Sequence, residues 1–470
     1  MVVGELSQET DLLVIGAGPG GYVAACAAAD AGLRTTLVES AEVPGGVCLR
    51  EGCIPSKTLL HIARIVDEAA HAEKFGVTFA APQIDVDRVR NWKNGVIRKL
   101  AAGVKSLLAG RQVEYLHGRA EFEGPSSVRI DGPEPGRVKF RHCILATGSV
   151  AKTLPETLLP RELCWDAADA LRMDEIPRRL LVIGGGYIGL ELGQVYAVLG
   201  SAVTVVEALP HVLTGLDPDL ARPLVAKLSK QMKAIHTHAA FRRAERRDGG
   251  IAVTYAVHAE ERTEEFDRLL VSVGRSPNTA GLGLERTGVQ LGPDGFVVVD
   301  PQRRTTDRRI YAIGDLTGNP LLAHKAMREA KVAVESIAGR PAAFDPACIP
   351  AVVYSDPEVA WCGLTEPEAV AQRLDVKVTK FPWIASGRAV SMGRTEGLTK
   401  MIWDARTQRL LGAGLVGPHA GDLIGEAVLA MEMAATAEDL GSAIHPHPAT
   451  SETLMESAES VLGRAVHGAH

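Results

Sequence analysis

Asp11-Leu-Leu-Val-Ile-Gly16-Ala-Gly18-Pro-Gly-Gly21 is followed by an Ala-rich run to Gly32 and then by Thr35-Thr-Leu-Val-Glu39. An apolar run, a glycine cluster, a stretch of helix formers, a Gly stop and a second apolar run read as strand, tight turn, helix, strand. The layout recurs further along the chain. Leu180-Leu-Val-Ile183 leads into Gly184-x-Gly186-x-x-Gly189, then a run to Gly200, then Val203-Thr-Val-Val-Glu207. In both copies the helix-ending Gly lies 16 residues after the first Gly, and the Glu lies 23 after it.

Each part of this layout has a physical reason. The first Gly permits the turn, the second lets backbone approach a pyrophosphate, and the third allows close helix–strand packing. The helix N-terminus offers unpaired N–H groups and a positive dipole end to the phosphates, and the Glu suits a ribose hydroxyl. One such triplet would fit a glycine-rich turn equally well. Two copies, each with strand, helix and acid in place, predict two bound dinucleotides and an α/β fold with two Rossmann-like domains.

The rest of the chain fits that frame. With 470 residues, about three domains are expected. Residues 55–110 read as mostly helical, and strand-like runs at 113–122 and 137–145 lead into Ala146-Thr147-Gly148. A strand at 269–273 leads into Gly274-Arg275-Ser-Pro-Asn278. After Pro346 the pattern changes to strands, a hairpin at 404–408, and helices at 421–437 and 451–463. The expected division is 1–150 and 151–275 for the two nucleotide units, 276–345 as a central segment returning to the first, and 346–470 as an α+β interface domain.

Composition excludes several functions. A net charge of −6 and 4% aromatic residues give neither the basic field nor the stacking platforms of nucleic-acid binding. The uncharged run 12–29 is long enough for a membrane span, but Gly16 to Gly21 would break it. The first Lys or Arg is Arg34, unlike a signal peptide, so a cytoplasmic enzyme with no membrane partner is expected.

Seven cysteines are too sparse for a secreted disulfide scaffold. Those at 26, 143, 164, 348 and 362 read as core residues. Cys48 and Cys53 differ, standing in Gly45-Gly-Val-Cys48-Leu-Arg-Glu-Gly-Cys53-Ile-Pro-Ser-Lys57. Glycines permit a turn between them, and a helix beginning near Cys53 together with Lys57 would lower a thiol pKa, which suits thiol–disulfide exchange. Two reduced core thiols are the alternative. No second Cys or His pair stands at zinc-like spacing, so no metal site is expected.

The chain resembles the pyridine nucleotide-disulfide oxidoreductases over essentially its whole length. The resemblance rests on GAGPGGY, GGVCLREGCIPSK, GGGYIGLELG, VGRSPN, IYAIGD, DPEVAWCGLTE, FPWIASGRA and HPHPATSE. It implies that Gly16, Gly18, Gly21 and Glu39 hold FAD, with Thr147, Gly148, Gly314 and Asp315 completing that site. Gly184, Gly186, Gly189, Glu207, Gly274 and Arg275 would hold the pyridine nucleotide. Lys57 would lie near the flavin, paired with Glu191. Cys48 and Cys53 would be the redox disulfide, and His447 the acid–base, held by Glu452 and followed by a cis proline. His447 of one subunit would serve the disulfide of the other, which implies a homodimer.

The implied activity is oxidation of dihydrolipoyl groups by NAD. Its partners would be lipoyl-bearing acyltransferase subunits of 2-oxoacid dehydrogenase complexes, or the glycine cleavage carrier protein. NAD is favoured over NADP by charge, because Glu207 would repel a 2′-phosphate and no Lys or Arg stands between it and Arg222. The alternatives are another NADH-linked disulfide reductase of the family, or a flavoprotein subunit without catalysis. One departure concerns the base: the common wording HAHPTLSE is HPHPATSE here, which changes the loop but keeps His447 and Glu452.

Overall fold

In the computed structural model, residues 7–467 are described, and they form two compact units. The first comprises residues up to 58, 85–152 and 274–345. Its sheet runs Glu114–His117, Thr35–Glu39, Ser7–Ile15 and Gly136–Leu145, all parallel, with Ile310–Ala312 also parallel to the last of these. The hairpin Arg119–Gly124 and Ser127–Asp131 extends it through antiparallel pairing of Ser127–Asp131 with the first half of Gly136–Leu145. Parallel strands are covered on both faces, so they read as continuous apolar runs. Successive side chains still alternate: Leu12 and Val14 enter the core under the helix Pro19–Asp30, while Leu13 and Ile15 enter the opposite core with Phe122 and Phe140. The uncharged run 12–29 is thus the end of a strand and most of a helix. Among the described residues no helix is long and apolar enough to cross a membrane.

The second unit comprises 59–84, 153–273 and the residues from 346 on. It repeats the motif in a five-stranded parallel sheet ordered Ala234–His236, Ala202–Val206, Arg179–Ile183, Arg268–Val271, Cys164–Trp165. A three-stranded antiparallel sheet, Ala239–Arg247, Gly250–Val257 and Glu260–Phe266, is inserted before its last strand in sequence, Arg268–Val271. The C-terminal part is a five-stranded antiparallel sheet packed with the helices Ala420–Glu432 and Glu452–Val461, around fully buried Trp383 and Trp403.

Both Gly stops close their helices in the same way. Gly32 (φ +82°) and Leu33 donate to Ala29 O and Ala28 O, and Gly200 (φ +110°) and Ser201 donate to Ala197 O and Tyr196 O. This is the two-bond C-terminal cap that a left-handed residue makes possible. One stretch read as mostly helical is so with an interruption, and one expected helix is shorter than read. The 55–110 run is two helices, Cys53–Ala70 and Val86–Gly110, the second started by Asp85 accepting from Arg88 N–H. The 421–437 helix ends at Glu432, because Ala434 is left-handed and Thr436 opens a new short helix, Ala437–Gly441, with a capping box to Asp439.

Candidate functional site

The two glycine loops are built to leave backbone N–H groups free. Gly18 and Gly186 are the N-caps of their helices, neither supplies a side-chain cap, and neither helix has an acid in its first turn. Elsewhere Asp85, Asp166, Thr365 and Thr436 cap their helices with side chains. A helix start with neither cap nor acid suits an anion. A Cβ on Gly18 would meet nothing closer than Gly46 Cα at 3.9 Å, and one on Gly186 would meet nothing within 4 Å. The third glycines are the reverse: Cβ atoms on Gly21 and Gly189 would stand 1.7 Å and 2.3 Å from the carbonyl oxygens of Gly16 and Gly184. The residues present therefore fit two dinucleotides. Open space lies where pyrophosphate is expected, and contact lies where packing is expected.

The acids do more than the sequence suggested. Glu39 accepts from Ala17 N–H at 2.8 Å and Ala41 N–H at 2.9 Å. Glu207 accepts from Gly185 N–H at 2.6 Å and Leu209 N–H at 2.8 Å. Each carboxylate ties its glycine loop to the end of the following strand and keeps lone pairs for a ribose hydroxyl.

The cysteine segment is built over the first loop. Gly45 N–H donates to Ala17 O at 2.8 Å, and Gly46 (φ +60°) approaches so closely that a Cβ would meet Gly18 Cα at 2.5 Å. A short helix, Gly46–Glu51, carries Cys48, an element that sequence reading missed. Gly52 breaks it, and Cys53 begins the next helix. The break brings the two thiols into hydrogen-bond contact. That bond, with burial, pushes the Cys48 thiol up, while Lys57 acts in the opposite sense. Cys53 stands at the start of its helix, and a helix N-terminus favours a thiolate.

Around the Asp315 turn the chain is tightly braced. Ser149 Oγ donates to Asp315 Oδ2 at 2.5 Å, and Arg275 donates to Ser149 Oγ at 2.7 Å and to Ser149 O at 2.6 Å. Thr147 Oγ1 donates to Asn278 O, and Asn278 N–H to Gly148 O, so the strands Ser149–Ala151 and Arg275–Pro277 pair antiparallel. Gly274 (φ +108°) precedes the second of these strands. Sequence reading missed the centre of the brace, Glu329. It is fully buried, accepts from Gly314 N–H at 2.6 Å, and pairs with Arg303 at 3.0 Å and Lys325 at 3.2 Å. No local pattern marks a Glu in an amphipathic helix as buried; only the tertiary cluster does.

In the second unit, Glu191 is buried on the helix Tyr187–Val198 and accepts from Tyr354 N–H at 2.8 Å. Lys57 stands in the first turns of the helix Cys53–Ala70. His447 is exposed, and its Nδ1 lies 2.9 Å from Glu452 Oε1; the His447–Pro448 bond is cis. Burial alone would raise the Glu452 carboxyl, but Ala449 N–H (2.8 Å) and His447 outweigh it and hold the group below its usual range. An ionised Glu452 can orient the His447 ring and stabilise its protonated form. His445 is held separately, by Glu426 Oε1 at 2.7 Å and Ala443 O at 2.9 Å.

Two cradles for dinucleotides, a thiol pair lying over one of them and a His–Glu dyad define a flavin- and pyridine nucleotide-linked thiol oxidoreductase. Residues 10–330 match the pyridine nucleotide-disulphide oxidoreductase family, and residues 349–458 match that family's dimerisation domain. The chain belongs to this family. It is 48% identical to a dihydrolipoyl dehydrogenase of Thermus scotoductus, with 97% of this chain and 98% of that one covered. It is 43% identical to one from Geobacillus stearothermophilus, with 99% of each covered. Among solved structures, LpdA of Mycobacterium tuberculosis superposes with a TM-score of 0.89 at 26% identity, covering 96% of this chain and 99% of that one. An HOCl-induced flavoprotein disulfide reductase of Escherichia coli gives 0.84 at 29% identity, covering 96% and 99%.

Proposed function

We propose that this chain oxidises dihydrolipoyl groups on carrier proteins, with NAD⁺ as the final acceptor, as the dihydrolipoyl dehydrogenases it resembles are named for doing. The observation that carries this reading is the packing of the segment that holds Cys48 and Cys53, through Gly45 and Gly46, against the first glycine loop. In the oxidised enzyme the two sulfurs form a disulfide. His447 of one subunit takes a proton from the substrate dithiol bound at the other subunit's disulfide. The resulting thiolate attacks Cys48 Sγ, the Cys48–Cys53 bond breaks, and Cys53 leaves as thiolate. The second substrate thiol then attacks the mixed disulfide, closing the lipoyl ring and returning the electron pair to Cys48, which takes the proton. Bound FAD, held by Gly16, Gly18, Gly21, Glu39 and Asp315, supplies the two-electron relay from this dithiol to NAD⁺. Lys57 lies beside that relay, and the second glycine loop with Glu207 holds NAD. The fit to a lipoyl-bearing acyltransferase or glycine cleavage carrier, and a cytoplasmic setting, follow from the same reading.

The test is an anaerobic titration of the holoenzyme with dihydrolipoamide, recorded as visible spectra. A long-wavelength band from a thiolate beside the flavin after two electrons, then NADH on adding NAD⁺, supports the reading. Bleaching by NADH with no response to dihydrolipoamide overturns the substrate. His447→Gln is expected to lower turnover by about 10²–10⁴ if His447 is the base, and a near wild-type rate excludes it.

A further inference from the structure

Glu207 is followed by residues 208–217, a strap without helix or strand that leads into the helix Pro218–Gln231. Its first four residues are exposed, whereas Val212, Leu213 and Leu216 are buried. Two contacts hold it against the second glycine loop. Leu213 N–H donates to Gly185 O at 3.0 Å, and a Cβ on Gly185 would stand 2.6 Å from Val212 Cγ1. Gly185 N–H in turn donates to Glu207 at 2.6 Å, so strap and acid hold the same residue. Leu213 is left-handed (φ +53°), a conformation that a leucine keeps only where its surroundings impose it.

The far end of the strap is fixed by a buried charge. Asp217 is the N-cap of the helix Pro218–Gln231, yet its side chain does not cap that helix. The carboxylate turns to the C-terminal part of the unit instead: Oδ2 lies 3.0 Å from Lys400 Nζ, and Oδ1 accepts from Glu366 N–H at 3.0 Å. Lys400, on the strand Leu398–Asp404, is 2% exposed and also pairs with Glu366 at 2.6 Å and Asp219 at 3.1 Å. Burial alone would lower its pKa, but the three carboxylates outweigh that and hold the ammonium above the usual lysine value. A buried ion pair resists separation, because parting it leaves an uncompensated charge out of water. The helix itself is seated on the same sheet, where a Cβ on Gly414 would stand 2.1 Å from Leu220 Cδ1.

We propose that Lys400 is a positioning residue for the pyridine nucleotide: through Asp217 it anchors the strap that holds Gly185 and keeps the second glycine loop in the shape that receives the cofactor. This rests on the reading above that the second loop with Glu207 holds NAD. Of the three acids around Lys400, only Asp217 belongs to the strap; Asp219 and Glu366 lie in helices. Without the pair to Asp217 the strained turn at Leu213 is free to relax and release Gly185 O. Nucleotide binding must then order the loop as well as fill it, and that ordering is charged against affinity. The interaction serves bound nucleotide in ground state and transition state alike, so its loss raises KM and spares kcat.

The test compares Asp217→Asn, Lys400→Met and the double variant as full-length holoenzymes. Asp217→Asn removes the charge facing Lys400 and keeps an oxygen for Glu366 N–H. Three quantities are read: the dissociation constant of NAD⁺ from the oxidised enzyme by calorimetry, the KM–kcat split with dihydrolipoamide, and flavin per chain. Each single variant should weaken NAD⁺ binding and raise its KM by about tenfold, with kcat and flavin content unchanged. The double variant should lose no more than either single one, because both break one link. Lys380→Met, which removes only the outer partner of Asp219, should match wild type. If Lys400→Met does not fold, Asp217→Asn carries the test, since it breaks the same pair and leaves Lys400 its other two acids. Wild-type NAD⁺ affinity in Asp217→Asn, an equal fall in kcat and flavin content, or the same loss in Lys380→Met would each overturn the proposal. Gly186→Ala separates this failure from that of the reading beneath it. Weakened NAD⁺ binding in Gly186→Ala beside normal binding in Asp217→Asn rejects the role of Lys400 alone, whereas normal binding in both rejects the placement of NAD and the role of Lys400 together. The calorimetric constant needs no dithiol substrate, so it holds whichever disulfide the enzyme reduces.

Discussion

At the first glycine loop Gly45 and Gly46 lie against the turn, and Gly20 is pressed between Ile313 and Ala326, with a Cβ 3.1 Å and 3.2 Å from their side chains. At the second loop, Gly186 and Tyr187 are exposed and Gly186 faces open space. The two loops share spacing, cap, Gly stop and acid, yet the first has Gly46 against its N-cap glycine while the second N-cap glycine faces open space. An enclosed cradle suits a cofactor that stays, and an open one suits a nucleotide that binds and leaves in each turnover. The braces differ as well. Near the first loop, Glu329 sits between Arg303 and Lys325 inside one core. The second repeat is held by the C-terminal hairpin, through Asp356 with Lys227, Arg394 and Gln194.

Alanine at the third glycines gives the largest test of this contrast. Gly21→Ala puts a Cβ 1.7 Å from a backbone oxygen in the enclosed loop. It should cost more than about 3 kcal/mol and abolish FAD retention, read as flavin content per chain. Gly189→Ala should cost less, about 1–3 kcal/mol, because one of its two close contacts is the Ser272 Oγ, which can rotate away. Equal losses would erase the distinction between the loops.

Glu329→Gln leaves buried Lys325 and partly buried Arg303 short of a partner and should destabilise by about 3–5 kcal/mol in denaturant melts, with flavin loss preceding unfolding of the C-terminal sheet. Asp356→Asn tests the other brace and adds a pH signature. Burial raises the Asp356 carboxyl, but Arg394 and Lys227 outweigh it and hold the group below the usual aspartate range. A depressed folded value means that the contribution to stability is complete above the unfolded pKa of about 3.9 and is lost as pH falls toward the folded value. The gap in Tm between wild type and Asp356→Asn should therefore be full at neutral pH and shrink below about pH 4. A gap that does not change with pH would mean that the charge contributes nothing.

The smallest structural effect is expected from Gly186→Ala. With nothing within 4 Å of its Cβ, it should leave Tm within about 0.5 kcal/mol equivalent while raising the KM for NAD. A fall in Tm with an unchanged KM would show that the open space is not where nucleotide binds.

What was legible in the sequence was what depends on near neighbours. The glycine turns, the Gly32 and Gly200 stops and the acids at fixed spacing all follow from backbone sterics over a few residues, and they appear in the structure as read. The short helix under Cys48 was hidden because six residues flanked by glycines carry no periodicity. The interrupted helix after 432 was hidden because Ala434 adopts a left-handed conformation that its residue type does not announce.

By itself the sequence determined the two βαβ units, the glycines that fix their turns and the paired cysteine segment, because each is set by local sterics and by hydrophobic alternation. Only the tertiary structure decided that Glu329 is buried between two cations and that Asp356 braces the second repeat. Those contacts join residues between 4 and 162 positions apart. Their energies depend on exclusion of water and on close approach, and neither exists until the chain has packed.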